Sequence, residues 1–459
     1  MRIFLFYWLI FILCSCKSND YKENKINFAE HIGPIFHQKC APCHHKGQVG
    51  PIELIRYEEI KKRAKLLLRV MESGYMPPWP ADPTYSRFVG ELFLRKGEID
   101  SLRIWINEGM LAGPLDQLKI PAFSSSNSSF GQPDFSISFK EKIPLKGDGL
   151  DDFFLVKIPF EFPTDTFVKM IEFVPGNSKL VHHVNGHIIQ YDHGAKKDLF
   201  QKPYYLASDT MAEAHEVYSQ LKVQNDDASF PMLTQSVVNY LPGVMSRNYP
   251  DGIGGFKLRK SGYVLFRDIH YGPSYRDTSD SSFVNFYFGP EQDYRPFVEI
   301  QMGTLGITDI VPPLYLKPGD KKTFYSEYIV PQKLSLITIN PHMHKLGVSF
   351  LAYAVSLSGD TIPLIRIPKW DFNWQFFYTF QKPVVLEKGT KIRMEGLFDN
   401  TINNPNNPFH PPQIVSERAG SMRTTDEMFQ FIISALPYRS GDEDINLDNV
   451  PRGTNVNLK

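Results

Sequence analysis

The chain has 459 residues with 50 Lys plus Arg against 50 Asp plus Glu. This balance leaves no basic surplus to hold nucleic acid and no acidic tail, so nucleic acid is excluded as a partner. The 35 Phe, 22 Tyr and 35 Pro favour short strands and tight turns over long helices.

The N-terminus reads as a targeting segment. Arg2 precedes an apolar run, Ile3 to Leu13, that is short for a bilayer span. Leu13-Cys14-Ser15-Cys16 is similar to a bacterial lipobox. The resemblance implies a signal peptide over 1–15, lipidation of Cys16 and a polar tether over 16–26. An ordinary secretory peptide is the alternative. Either way the mature protein is expected outside the cytoplasm, and with lipidation it is anchored to a bacterial membrane. Only Cys40 and Cys43 then remain, which leaves no disulfide framework and calls for another use of these two thiols.

Residues 27–118 read as a helical region. Phe28 to His37 forms a first helix, Leu54 to Met71 has apolar positions at helical spacing, and Gly97 to Gly109 places Ile99, Leu102, Trp105 and Ile106 on one side. Inside it stands Cys40-Ala41-Pro42-Cys43-His44, the attachment sequence of a c-type haem: two thiols add to the vinyl groups and the histidine reaches the iron. A thioredoxin-like pair would need a βαβ setting, and a zinc site would need two further ligands nearby. Met76, in a loop stiffened by Pro77 and Pro78, is the candidate sixth ligand, while Met71 reads as core. The region resembles a monohaem cytochrome c domain.

A Ser-rich linker over 119–134 follows. From Phe135 onward, short strand-like runs are cut by Pro, Gly, Asn and Asp, a spacing that suggests antiparallel sandwiches. Their length calls for two, over 135–302 and 303–439, dividing near Met302 to Thr308. The polar tail, 440–459, is expected to fray. The predicted fold is therefore multidomain: a small all-α cytochrome c domain followed by two antiparallel, jelly-roll-like β-sandwiches.

Four stretches carry metal-ligand chemistry. Leu180 to Ile189 holds His182, His183 and His187; Phe266 to Gly272 holds His270; Asn340-Pro341-His342-Met343-His344 ends a buried strand; and Thr424 to Phe429 contains Asp426-Glu427-Met428. His342 and His344 are two apart and share a strand face, whereas His182 and His183 need a bulge or a strand end to converge. His187 reads more readily as a supporting or core residue than as a ligand. As an ordered set, these motifs resemble the copper type II, ascorbate-dependent monooxygenases, the family of peptidylglycine and dopamine hydroxylases.

The resemblance implies an electron-transfer copper on His182, His183 and His270, and an oxygen-activating copper on His342, His344 and Met428. Imidazole suits both copper oxidation states and a thioether favours Cu(I). It further implies C–H hydroxylation of a small molecule with O₂, with electrons from ascorbate, from the fused haem or from a periplasmic or membrane donor. Asn340 stands where the peptide-amidating members have an arginine, and Ile432 where they have a tyrosine, so a glycine-extended peptide is not the expected substrate. The alternatives are a non-enzymatic haem/copper redox or copper-binding protein, and a sensor with inactive copper sites.

Overall fold

A computed structural model describes residues 25–121, 128, 130–207, 214–233, 237–242, 249–250, 252–290, 295–417 and 425–448. The signal peptide and Cys16 lie outside them. Among the described residues, no helix is long and apolar enough to cross a membrane.

Two pairs of antiparallel sheets dominate. In the first, a four-stranded sheet runs Phe135–Ser138, Phe283–Phe288, Thr166–Val174, Phe256–Leu258. It packs on a sheet ordered Tyr205–Ala207, Asp152–Glu161, Ser261–Tyr271, Val181–Gln190, Met232–Leu233, with Val238–Tyr240 also paired to Val181–Gln190. Their inner faces share one core, including Val156, Ile158, Val184, Val264, Phe266 and Phe286.

The second pair sets Val298–Gly303, Phe429–Pro437, Leu334–Met343, Tyr378–Leu386 against Lys321–Ile329, Lys391–Asp399, Gly347–Val355, Thr361–Ile367. β-Branched and aromatic residues suit these doubly covered strands: nine of the ten residues of Leu334–Met343 are buried. Val298–Gly303 pairs with Phe429–Pro437, so the second sandwich begins at Val298, ahead of the expected division at Met302 to Thr308. The pairing partner decides the boundary, and partner choice between distant strands has no local sequence signal.

The expected all-α cytochrome c domain is not what the chain builds. Strands take 37% of it, and only four short helices occur among the described residues. Helical structure within 27–118 is confined to Phe28–Ile32, Gly33–Lys39, Tyr57–Glu72 and Lys96–Asn107, around a small core of Phe28, Phe36, Leu67, Met71, Leu102 and Trp105. The stretch between the last two helices is irregular, with several turns, and its part from Trp79 to Val89 lies on the second sandwich. Phe88 bridges Phe380, the Val89 N–H donates to the Thr379 carbonyl at 2.8 Å, and Arg366 pairs with Asp82 at 2.7 Å. The physical reason is compositional. Pro77, Pro78, Pro80 and Pro83 forbid helix, and the aromatics between them find cover only on another sheet. Trp79 and Phe88 pack on Phe376, Tyr378 and Phe380, with ring centroids 5.0–5.5 Å apart. Each such pair adds about 0.5–1.5 kcal/mol beyond the area it buries.

The tail also departs from expectation over its described part. Asp442 is buried, opens a short 3₁₀ turn, and takes a two-pronged ion pair from the equally buried Arg295 (2.6 and 3.0 Å). The Ser335 hydroxyl donates to the same carboxylate at 2.5 Å. Burial alone would raise the Asp442 pKa, but the donors from Arg295, Ser335 and the Arg439 N–H hold it below the usual carboxylate range.

Candidate metal centres

The first centre is made by two neighbouring strands and one bulge. Val181–Gln190 pairs with Ser261–Tyr271, setting His183 opposite His270 and Val181 opposite Tyr271. His182 is the extra residue between them. Inserting it breaks the in–out alternation, so two adjacent histidines reach one side. One ring nitrogen from each of His182, His183 and His270 lies within 4.8 Å of the others, and the Nδ1 atoms of His183 and His270 are 3.3 Å apart.

Buried His182 Nδ1 has no hydrogen-bond partner. Buried His270 Nε2 sits 3.3 Å from Asp151 Oδ1. Desolvation, then the neighbouring His270 and His183, pushes the His182 pKa down to about 4. This ring is therefore neutral at pH 7 with a lone pair to give. Phe153 stacks on His270 at 4.4 Å and 7°, fixing that ring. A buried nitrogen without a partner among three convergent imidazoles fits a copper ion. His187 lies further along the strand, opposite Leu265, outside this trio.

The second centre needs no bulge. His342 and His344 end the buried strand with ring centroids 5.0 Å apart, and Met343 between them turns into the core. The adjacent ladder pairs His342 with Gln430 and Met343 with Phe429; His344 and Met428 are the next residues along the two chains, just past the strand ends. Both ring orientations are fixed by oxygen acceptors. His342 Nδ1 donates to Gln375 Oε1, and His344 Nδ1 donates to the Asp426 carbonyl at 2.9 Å. These contacts occupy the Nδ1 position of both rings.

Glu427 ties the site together. Its carboxylate accepts the N–H groups of His344, Leu346 and Met428, joining the end of one ligand strand to the start of the other. It is 1% exposed, and burial pushes its pKa up to about 8 despite the three donors. Two imidazoles, with a buried methionine just before the neighbouring strand, are a donor set that would suit Cu(I).

Asn340 and Ile432 sit opposite each other in this ladder and are buried. The Asn340 amide donates to the Phe376 carbonyl at 2.9 Å. Neither offers a charge to a substrate carboxylate.

Cys40 to His44 forms one helical turn, with the His44 N–H donating to the Cys40 carbonyl at 3.0 Å. His44 Nδ1 donates to the Ile52 carbonyl at 3.0 Å, leaving Nε2 for a metal. A Cβ at Gly50 would come within 2.5 Å of His44 Nδ1, so only glycine lets the chain close over this ring. Desolvation pushes the Cys40 and Cys43 thiols up to about 12 and 11, which disfavours thiolate chemistry. The donor set fits a covalently held haem. Met76 lies half-buried in the turn after Tyr57–Glu72.

This turn is seated against the first sandwich. The Cys43 thiol donates to the Pro242 carbonyl at 3.5 Å, and the Ser178 hydroxyl donates to the Gly47 carbonyl. Tyr240, two residues before Pro242, pairs with Val184 on the strand that carries His182 and His183.

Gln375, Glu427 and Asp151 escaped the sequence reading because each supports a ligand from another strand or loop. Only Glu427, inside Asp426-Glu427-Met428, carried a signal that could have found it.

No family model and no curated protein matches the chain. Among solved structures it is similar to an allantoicase, at 9% identity over 60% of this chain and 84% of that one, with a TM-score of 0.17. It is also similar to the infectious bursal disease virus Gt strain structure, at 11% identity over 73% and 77% with a TM-score of 0.15. At such scores neither carries an argument about fold or function.

Proposed function

We propose that the chain is an exported, copper-dependent monooxygenase that hydroxylates a C–H bond of a small molecule with O₂. One electron-entry group is a haem attached through Cys40 and Cys43, with His44 as a ligand and Met76 as the candidate sixth; an ascorbate-class reductant is another. The carrying observation is the convergence of His182, His183 and His270 with a buried, partnerless ring nitrogen. Copper held by the two centres would supply one-electron redox chemistry and O₂ binding.

The chain's own residues do the rest. His182, kept neutral by burial, offers its lone pair without first losing a proton. Gln375 and the Asp426 carbonyl hold the tautomers of His342 and His344. Glu427 fixes the backbone beside His344 and Met428. The seating of the Cys40–His44 turn on Pro242 and Ser178 supports a short electron path into the first centre.

The test is metal analysis with O₂ uptake. Two coppers and one haem per chain, with reductant-dependent O₂ consumption that Met428→Ala abolishes while the haem spectrum stays intact, would support the reading. A haem-loaded chain that takes up no copper would sink it.

A further inference from the structure

One loop touches both candidate centres. Trp370 to Phe376 leaves the second sandwich and reaches the first, where the Trp374 ring lies 6.3 Å from the His182 ring. The next residue, Gln375, accepts from His342 Nδ1 and donates its amide to the Phe372 carbonyl at 2.8 Å. Phe372 packs edge-on to His344 at 5.6 Å, and Phe376 stacks beneath Trp374 at 6.2 Å and 15°.

We propose that Trp374 and Gln375 are the electronic bridge between the two centres. This rests on the copper reading above. The route runs from the His182 ring to the Trp374 indole, along the Trp374–Gln375 peptide, and through the Gln375 amide to His342. One electron lost at the His182/His183/His270 centre is one gained at the His342/His344/Met428 centre. An ascorbate-class or haem donor then re-reduces the first centre. No bond forms or breaks in the protein and no proton is transferred to Trp374. The half-buried indole, stacked on Phe376, is the aromatic group that the two sandwiches share at this junction.

Two readouts independent of turnover test it. In His342→Ala protein, which leaves the first centre intact, Cu(II) should quench the Trp374 emission, seen as quenching that Trp374→Phe removes. In protein holding both coppers, anaerobic addition of one reducing equivalent should be followed, by freeze-quench EPR, by redistribution from the first centre to the second. Trp374→Leu should lose that redistribution while keeping both coppers and the parent melting curve, and Trp374→Phe should keep it in part. Unchanged redistribution in Trp374→Leu with both coppers bound overturns the bridge and leaves the enzyme reading standing. Failure of the parent protein to bind copper overturns the enzyme reading itself, and the bridge with it.

Discussion

The two candidate centres are built by opposite means. The first takes three imidazoles from two strands of one sheet and needs an irregularity, His182, to aim them, and it leaves the buried His182 Nδ1 without a partner. The second takes two imidazoles from the end of one strand, beyond its irregularity at Leu336–Thr338, and a candidate thioether just before its neighbour. Gln375 and Asp426 occupy the Nδ1 position of both its rings. In the first, Phe153 stacking braces only the His270 ring, whereas hydrogen bonds from the fold brace both imidazoles of the second. A site that only passes electrons can tolerate looseness. One that must hold a reactive geometry gains from bracing.

Removing a ligand gives the largest expected effect and separates the centres. His270→Ala should lose the first copper entirely and leave the second, by metal content and EPR, because a two-imidazole remnant no longer encloses the ion. Loss of both metals would mean that the centres are not independent. Removing the brace comes next. Glu427→Ala leaves three buried N–H groups without their acceptor and should destabilise the second sandwich by about 3–5 kcal/mol in denaturant titrations. Gln375→Leu should weaken copper at the second centre by about 10–100-fold while leaving the first unchanged, as expected when the partner of a ligating histidine is removed. The corresponding change in the first centre, Asp151→Asn, should cost under about 1 kcal/mol, because Asp151 is half-exposed.

Acid offers a further contrast. His182 has a folded pKa depressed to about 4 against an ordinary 6.5, so its neutral form contributes stability above pH 6.5 that is lost as pH falls toward 4. The melting temperature of the metal-free chain should drop across that window, and His182→Asn should flatten the drop. A slope unchanged by the substitution would place the titration elsewhere.

The candidate ligand residues of both centres stand out in the sequence because each motif is local: His182-His183, His342-x-His344, Glu427-Met428. The need for a bulge at His182 was legible too, since adjacent residues on a regular strand cannot share a face. What supports the ligands was not. Gln375 reaches His342 from a loop after a different strand, and Trp374 meets His182 across a domain junction; no spacing rule encodes either. The cytochrome-like fold was misread for a related reason. Three helices at sensible spacing suggested a self-contained domain, but Trp79 and Phe88 are buried by Phe376, Tyr378 and Phe380, far along the chain. Helical periodicity reports which face is apolar and is silent on what covers it.

The ion pair between Arg295 and Asp442 has a mechanical consequence. Arg295 stands just before the first strand of the second sandwich and Asp442 just after its last, so the pair fastens the way in to the way out, like a buckle. Cutting the chain between Pro437 and Asp442 would unfasten that end of the second sandwich without touching a candidate ligand, so the clipped protein should melt earlier while keeping the residues of both centres.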